Sequence, residues 1–462
     1  MDEAALSEDR RTTSITRREF LGRLSRAGTT AIAIAAPDLL LPAGPRMASV
    51  SAFRADVASS WFRLVLLLVR DTPGFSPPVA SRAFAYSGVA LYEALLPGMR
   101  AYRTLAGQLP GLDPVPTAAL GAFHWPTVAN SVLASLVRRL FPTAPAKRQA
   151  DVDMLERQLA REYRATVPIG VFTRSVARGR EVARHMFAWS RTDGGDAAYL
   201  DNFPAYEPPV GPGLWTPTPP GFLPALQPYW GENRPFAVGA DGSCRPPPPP
   251  AYSEDSSSTL YAEARDCYEV TTNLKSEHES IALFWSDDPG VTFTPPGHSI
   301  SILTQVIDRD EHALDVAAEA YAKVGIAVAD AFIVCWRTKY RYNLLRPITY
   351  IQRLVDPSWV PLLVTPPFPE YTSGHSVQSA AAAQVLTGMF GVVPFTDHTH
   401  DARGLASRSF GSFFEAAREA ARSRLFGGIH FASAIEQGLA QGRCVGRQVG
   451  RLRFRRDREP ED

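Results

Sequence analysis

Apolar residues recur every three to four positions along most of the chain, which is the spacing of one buried helix face. This pattern predicts five helices in the first part of the chain, over residues 53–70, 79–98, 117–140, 144–165 and 171–191. It stops between about 192 and 252, where proline pairs and the run Pro246–Pro250 lie among several glycines. Proline has no N–H and a fixed φ, so it interrupts helices. We expect a long irregular excursion that packs over the helices as a structural segment, rather than a polyproline ligand for a partner.

Helical spacing resumes at Ser256 and continues to Trp285, where the turn-forming sequence 287–290, Asp-Asp-Pro-Gly, ends it. A further long helix is predicted over 310–331, leading to Trp336. No stretch alternates apolar and polar residues for long enough to indicate a sheet. The pattern therefore predicts an all-α protein.

The 462 residues are 45% hydrophobic and 21% charged, which is ordinary for a globular protein with an ample core. We expect side-by-side helical bundles, with residues 50–450 forming one mostly helical unit. Residues 49–255 would form an N-terminal half that carries the Pro-rich loops. Every motif described below lies in the second half, 256–450.

A net charge of +1 gives no sign of nucleic acid or an acidic membrane surface as a partner. The sequence has no Gly-rich nucleotide loop, and neither a nucleotide nor a haem is expected. Past the N-terminal leader there is no run of 18 or more apolar residues, so stable membrane insertion is not expected. The oligomeric state is left open.

The leader, residues 1–48, indicates export. Thr16-Arg17-Arg18-Glu19-Phe20-Leu21 resembles the twin-arginine motif and precedes a moderately apolar stretch, 27–41. Pro37 and Asp38 interrupt that stretch, which is too short to span a bilayer. We expect a periplasmic or secreted protein; the alternative is a disordered basic leader. At the other end, residues 451–462 are mostly charged and are expected to fray.

The four cysteines are too widely spaced for a zinc motif. Cys335 and Cys444 lie in apolar helical contexts, which favours two buried thiols. A disulfide between Cys244 and Cys267 is left open.

The stretch from Phe368 to Val377 organises the candidate chemistry. Ser373, Gly374 and His375 lie where a Pro-rich loop gives way to an Ala-rich helical run. The start of a helix offers unpaired N–H groups and the positive end of the macrodipole, which suit an oxyanion. The Ser373 hydroxyl and Gly374 N–H can donate to such an anion, and His375 can exchange protons with it. Alone, this common triplet is weak evidence.

Two cations precede that stretch. Lys339 and Arg346 are seven residues apart, two helical turns, so both should project from one helix face. Pro347 disfavours helical backbone at Arg346 and is expected to end the helix there. The alternative is a solvated basic face, because Arg337 and Arg341 lie close by.

A third stretch contains Ser423, Arg424 and His430, with Gly427-Gly428 breaking any continuous helix between them. Such a turn can aim one imidazole at a fixed point. One lysine, two arginines, a serine, a glycine N–H and two histidines converging would form a pocket for a tetrahedral oxyanion, with a ligand or nucleophile.

In order along the chain, the three parts are Lys-x6-Arg-Pro, Ser-Gly-His and Ser-Arg-x5-His, within residues 339–430. They resemble the signature shared by vanadium-dependent haloperoxidases and the type 2 phosphatidic acid phosphatase superfamily. A weaker resemblance extends back to about Ile281. It implies helical bundles of the vanadium chloroperoxidase and acid phosphatase type.

For a haloperoxidase, the resemblance implies vanadate as the cofactor, hydrogen peroxide and halide as substrates, and small organic acceptors. His430 would be the vanadium ligand, His375 the acid–base group, and Lys339 would polarise peroxide. The full set holding the oxyanion would be Lys339, Arg346, Ser373, Gly374, His375, Arg424 and His430.

Neighbouring residues favour the haloperoxidase. Trp336 and Phe368 resemble the aromatic pair on the halide side of the chloroperoxidase pocket. Asp288 resembles the catalytic-site acid that pairs with the second arginine, here Arg424.

Vanadate and phosphate are alike in shape and charge, so an exported acid phosphatase is the alternative. His430 would then be the nucleophile and His375 would protonate the leaving alcohol. Phosphatases usually carry an aspartate four residues after the last histidine, and Ala434 stands there. We therefore expect another acceptor for His430, such as a backbone carbonyl. Thr372 also replaces the usual proline before Ser-Gly-His.

A non-catalytic protein binding phosphate or a partner is a second alternative, disfavoured by the intact Lys339, His375 and His430. The sequence Asp397-His-Thr-His-Asp401 could bind a divalent metal, but a solvated loop is favoured. His298 follows Pro-Pro-Gly and could lie near the site.

Overall fold

The computed structural model describes residues 48–239 and 243–456. Nearly all of the leader therefore lies outside the described residues, as do 457–462. The described part contains thirteen α-helices: α1 Asp56–Asp71, α2 Pro77–Leu95, α3 Trp125–Leu140, α4 Ala146–Thr166, α5 Ile169–Ser190, α6 Thr259–Thr272, α7 Ser276–Phe284, α8 Thr294–Arg309, α9 Leu314–Tyr342, α10 Pro347–Leu354, α11 Gly374–Phe390, α12 Phe413–Phe426 and α13 Ala432–Gly450. The all-α prediction is confirmed.

Each of the five N-terminal apolar patterns becomes one helix, α1 to α5. The largest difference is at α3, which begins at Trp125 rather than near 117. Gly121 has a φ of 118°, a conformation that a helix cannot contain, and Pro126 occupies the first turn, where proline is tolerated. The apolar spacing before 125 therefore belongs to a loop.

The long helix α9 forms the centre of the molecule. It packs against α2 of the N-terminal half and against α11 of the second half, so the halves share one core. Gly88 permits the close approach to α2, because a Cβ there would lie 2.4 Å from the Tyr321 carbonyl oxygen. The position of α9 fixes the lysine near its C-terminus relative to both halves.

Over its described residues, the Pro-rich segment is irregular, as predicted, apart from two 3-10 turns at Ala198–Leu200 and Trp230–Glu232. Asp330 of α9 anchors it by accepting hydrogen bonds from the backbone N–H groups of Phe236, Ala237 and Val238, at 2.7 to 2.9 Å. Another backbone bond joins Leu226 N to the Pro367 carbonyl at 2.8 Å. The segment thereby lies beside the loop that leads into α11.

Two features were not predicted. A short antiparallel hairpin pairs β1 (Phe395–Asp397) with β2 (Arg408–Phe410), with Phe395 opposite Phe410. The predicted fraying is wrong for the start of the tail: Phe454 is buried, and Arg455 forms an ion pair with Glu319 at 3.0 Å. Phe454, an apolar side chain within the charged run, packs in the core and holds the start of the tail in place.

The disulfide joins Cys244 to Cys444, so the pairing of Cys244 with Cys267 that was left open does not form, and the buried free thiol expected at Cys444 is wrong. Cys267 and Cys335 are buried free thiols. The bond ties the Pro-rich segment to α13 across a separation of 200 residues, which spacing along the sequence could not indicate. Among the described residues, no helix combines the length and the apolar composition needed to cross a bilayer.

Candidate functional site

The start of α11 carries the Ser-Gly-His triplet. Ser373 is the N-cap of the helix, and its side chain accepts from Ser376 N. The Ser373 N–H donates to the Ala434 carbonyl at 3.0 Å, which fixes this start against the first turn of α13. The two helices approach closely at Gly442, where a Cβ would lie 2.1 Å from the Val377 carbonyl oxygen. The first N–H groups of α11 are thus held at a fixed place beside His430.

Lys339 and Arg346 do not share one helix, contrary to the prediction. The helix α9 ends at Tyr342, because Asn343 adopts the left-handed conformation with a φ of 45°. Arg346 is instead the N-cap residue of α10. Pro347 therefore begins a helix rather than ending one, the position in which proline is favoured.

The two cations nevertheless converge on the loop before α11. Lys339 Nζ donates to the carbonyls of Pro369 and Glu370 at 2.9 and 3.0 Å. Arg346 donates to the carbonyls of Phe368 and Ile429 at 2.7 and 2.9 Å. Both side chains are fully buried. Their backbone partners hold two positive charges immediately behind the loop.

Arg424 and His430 lie on either side of the predicted break. The helix α12 ends at Phe426, and Gly428 has a φ of 73°. Arg424 donates to the Trp285 carbonyl at 2.6 Å and to Ser423 Oγ at 2.9 Å. The turn brings His430 to within 3.2 Å of Arg346, measured from ring Nε2 to Nη1.

Glu370 is the residue that sequence reasoning missed. His430 Nδ1 is hydrogen-bonded to Glu370 Oε2, and the other carboxylate oxygen accepts from the Phe431 N–H at 2.7 Å. A carboxylate therefore fills the role for which a backbone carbonyl was expected after the substitution at Ala434. Glu370 lies within the stretch 368–377 that was already singled out, which could have marked it as a site residue. Its pairing with His430 could not be predicted, because only folding brings this loop to His430.

These contacts fix the tautomer of His430. Arginine can only donate, so Nε2 accepts from Arg346 and Nδ1–H donates to Glu370. Burial first, and then Arg346 and Lys339, hold the pKa of His430 well below its usual value. His430 is thus a neutral imidazole whose Nε2 carries a lone pair.

A cavity of about 230 Å³ lies in front of these groups. Of the predicted site residues, Gly374, His375, Arg424, His430, Trp336, Phe368 and Asp288 line it. Lys339, Arg346 and Ser373 do not line the cavity. Lys339 lies behind Phe368, against its ring, and Arg346 lies behind His430, to which it is hydrogen-bonded. The ring centroids of Trp336 and Phe368 are 4.9 Å apart, so the predicted aromatic pair does meet.

Three buried basic side chains give the site a preference for anions. Burial lowers the pKa of Lys339 to about 7 and that of Arg346 to about 10, because each charge has left water. Burial likewise lowers the pKa of Arg424 to about 10. An anion in the cavity would favour the charged form of all three.

His375 also faces the cavity as a neutral ring. Burial and then Arg424 hold its pKa well below the usual value, and the Trp285 carbonyl accepts a hydrogen bond from the ring. Its Nε2 is buried without a hydrogen-bond partner among the described residues. An unpaired buried nitrogen costs free energy, which a ligand in the cavity would recover.

The expected ion pair between Asp288 and Arg424 is absent within the described ranges 48–239 and 243–456. Asp288 is exposed, and its charge raises the pKa of Arg424 less than that of Asp287 does. The neighbouring Asp287 adopts a φ of 51° and is buried instead. The turn therefore points the Asp287 carboxylate inward and the Asp288 carboxylate outward, the reverse of the prediction.

The solvated loop predicted for residues 397–401 is only half correct. His398 and Asp401 are exposed and pair with each other at 2.9 Å. Asp397 and His400 are buried, beside His298. His298 contacts Asp287, a residue that lines the cavity.

A bacterial vanadium-dependent iodoperoxidase of known structure superposes with a TM-score of 0.80 at 38% sequence identity, covering 88% of this chain and 98% of that one. This chain belongs to the vanadium-dependent haloperoxidases. Residues 319–456 match the family described as the VCPO second helical-bundle domain. No curated protein sequence matches.

Two structures of bacterial vanadium-dependent chloroperoxidase share the fold. The holo form has a TM-score of 0.64 at 16% identity, covering 83% of this chain and 94% of that one. The apo form has a TM-score of 0.62 at 16% identity, covering 84% and 99%.

The residues of this haloperoxidase fit a vanadate group. His430 Nε2 is unprotonated and would bind the group in place of its hydrogen bond from Arg346, His375 Nε2 has no hydrogen-bond partner among the described residues, and the side chains of Lys339 and Arg346 lie behind the wall. Gly374 leaves the space open, since a Cβ there would lie 3.7 Å from Trp336 and 3.9 Å from Phe332, both cavity-lining residues.

Proposed function

We propose that this chain oxidises halide with hydrogen peroxide, using vanadate held in the cavity by His430. The observation that carries this is the Nε2 of His430, kept unprotonated by the donors around it and by Glu370 on the opposite nitrogen. A histidine that ligates a metal commonly donates its other N–H to a carboxylate, which fixes the ring and raises its basicity. Vanadate, when bound, supplies Lewis-acid activation of the peroxide oxygens.

The cations would hold the oxyanion by charge-assisted hydrogen bonds. Arg424 lines the cavity directly, whereas Lys339 and Arg346 lie behind its wall and would need only short side-chain movements to reach an anion. A lysine ammonium has three donors, and two of those on Lys339 are bonded to carbonyls. The third is available for an oxyanion. Ser373 and the first N–H groups of α11 complete this set.

His375 would exchange protons with the bound groups. Its lone pair at Nε2 is directed at the cavity, and its depressed pKa makes it a base rather than a cation at neutral pH. Its hydrogen bond to the Trp285 carbonyl fixes the ring orientation. A positioned acid–base group of this kind contributes about 10²–10⁴-fold to rate.

Iodide is the halide we propose to test first, because the 38% identical relative is an iodoperoxidase. The apolar wall supports a weakly hydrated ion or a small organic acceptor: it includes Trp336, Phe332, Leu223, Leu226 and Val364. Aromatic and aliphatic surface offers no replacement for the hydration shell of a small halide. We expect iodide to be oxidised faster than bromide.

The test is incubation with orthovanadate, removal of the excess, and assays of iodide and bromide oxidation with peroxide. p-Nitrophenyl phosphate hydrolysis is measured in parallel, on wild type and His430→Ala. We expect vanadate-dependent halide oxidation by the wild type only, with weaker vanadate binding by the variant, because Lys339, Arg346 and Arg424 still attract the anion.

His398→Ala is the matched control, because His398 is an exposed histidine outside the cavity. It should behave as wild type. Robust phosphate-ester hydrolysis without vanadate, and no halide oxidation at any vanadate level, would replace this proposal with the acid phosphatase.

We also propose export through the twin-arginine route. The disulfide between Cys244 and Cys444 supports it, because such bonds persist in oxidising compartments. Replacing Arg17 and Arg18 with lysine should keep a reporter fusion in the cytoplasm. Undiminished export of that variant would count against the motif.

A further inference from the structure

A second group of ionisable side chains lies beside the vanadate pocket, and one of its members, Asp287, also lines that pocket. Asp287, His298 and His400 are all buried, and one potential ligand atom from each lies within 4.8 Å of the others. They come from three separate places: the turn after α7, the first turns of α8, and the loop after β1. Assembling them requires that the hairpin β1–β2 docks on α8.

The distances within this group resemble those between ligands of one small ion. Asp287 Oδ1 lies 3.1 Å from His298 Nδ1 and 3.3 Å from His400 Nε2. Tetrahedral coordination with bonds of about 2.0–2.1 Å separates neighbouring ligand atoms by roughly 3.3–3.4 Å. The Asp287 oxygen therefore stands at ligand spacing from each ring nitrogen, and the three potential ligand atoms all lie within 4.8 Å of one another.

A carboxylate supports the second ring nitrogen of His298. Asp397 Oδ2 accepts from His298 Nε2 at 2.7 Å. Asp397 is itself held by Thr399, whose N–H and hydroxyl donate at 2.9 and 2.6 Å. This carboxylate–histidine arrangement is the usual outer support of a metal-binding imidazole.

His400 provides the independent observation. Its Nε2 is buried and makes no hydrogen bond among the described residues, although Asp287 Oδ1 is 3.3 Å away. The ring is held by edge-to-face contact with Phe284, at 5.0 Å between centroids. A buried nitrogen whose neighbouring carboxylate is not in hydrogen-bonding geometry costs free energy that an ion between the two would recover.

We propose that Asp287, His298 and His400 bind one divalent first-row transition metal ion, for which Zn²⁺ is the probe, at a site beside the vanadate cavity, whose lining includes Asp287. Two imidazoles and one carboxylate suit Zn²⁺ better than Ca²⁺ or Mg²⁺, which prefer all-oxygen ligands. Three protein ligands leave the fourth position of a tetrahedral ion to a water molecule.

Metal binding would improve the charge balance. Without a metal, His298 shares protons with both Asp287 and Asp397. The ion would replace the proton between His298 Nδ1 and Asp287, releasing it to solvent, and Asp397 would keep its bond to Nε2. The ion would fix the turn that carries Asp287, one of the cavity-lining residues, to the loop after β1.

The experiment uses the untagged full chain, treated with EDTA, freed of chelator, and titrated with ZnCl₂ against a chromophoric chelator. We expect about one tightly bound Zn²⁺ per chain and a rise in melting temperature that EDTA reverses. X-ray absorption at the zinc edge should show two imidazoles, oxygen and no sulfur. This spectrum tests the site without any variant.

His400→Phe keeps an aromatic ring against Phe284 and removes one ligand, so it should lower the affinity by more than the 10–100-fold typical of outer-shell changes. His398→Gln, on the neighbouring exposed histidine, and His430→Ala, in the vanadate cavity, should bind zinc as the wild type does. No stoichiometric binding by the wild type would overturn the proposal. Equal binding by His400→Phe, or loss in His430→Ala, would place the ion elsewhere and also overturn it.

Discussion

Two buried histidine–carboxylate groups lie close together in this protein. The charged side chains nearest to the two histidines have opposite sign. In the pocket, His430 donates to Glu370 while two buried cations stand nearby. In the second group, without a metal, His298 lies between Asp287 and Asp397. Both rings are almost fully removed from water, so burial alone cannot account for the difference.

The neighbours decide it. Burial lowers the pKa of both rings, but Arg346 and Lys339 lower that of His430 further, whereas Asp287 and then Asp397 raise that of His298 to about 10. The first ring keeps a lone pair for a ligand. The second has both nitrogens committed to carboxylates. The comparison shows that, for two equally buried histidines, the sign of the neighbouring charges decides which ring is neutral.

The largest effect is expected at the pocket. His375→Ala should lower kcat for halide oxidation by about 10²–10⁴-fold while leaving the vanadate Kd near normal, because it removes a proton-transfer group rather than a ligand. Steady-state kinetics with parallel vanadate titration measure both. A large change in Kd with an unchanged kcat would contradict the assigned role.

The next effect concerns stability in the metal-free protein. His298→Phe should lower the free energy of unfolding by about 3–5 kcal/mol, since it removes the ion-pair partner that two buried carboxylates, Asp287 and Asp397, share. Denaturant titration by circular dichroism measures it. His398→Phe is the exposed control and should change stability by no more than about 0.5 kcal/mol. Equal losses of unfolding free energy in His298→Phe and His398→Phe would show that the ion pairs of His298 add no stability.

Glu370→Gln should weaken vanadate binding and activity by about 10–100-fold, the usual cost of losing the outer partner of a ligand histidine. Glutamine keeps one acceptor, whereas His430 Nδ1–H and the Phe431 N–H both need one. Vanadate titration measures the loss. Glu263→Gln is the control, because that carboxylate accepts from Ser433 at 2.7 Å on α13; matching losses would argue for a general effect on packing.

The smallest effect is stabilisation by the ligand. Vanadate at ten times its Kd should raise the free energy of unfolding of the wild type by about 1.4 kcal/mol. His375→Ala should show the same shift at equal concentration, and His430→Ala a smaller one. Thermal melts measure the series. An equal increase in the free energy of unfolding in His430→Ala would show that vanadate does not bind to that ring.

Much of the helical framework could be predicted from apolar spacing, because a buried helix face repeats every three to four residues whatever lies against it. The element containing Lys339 was also found, but its end was not. The helix ends at Tyr342, four residues before the expected stop at Arg346, because the left-handed conformation of Asn343 ends it as effectively as a proline would. Arg346 thereby reached the site from a different helix.

By itself, the sequence determined the helical class, the family signature and the identities of the oxyanion-binding candidates. These depend on local spacing and on residue chemistry. Only the tertiary structure decided that Glu370 supports His430, that Cys244 pairs with Cys444, and that His400 is buried beside His298. Each of these contacts joins residues at least 60 positions apart, and such pairings follow from how helices pack rather than from any local pattern.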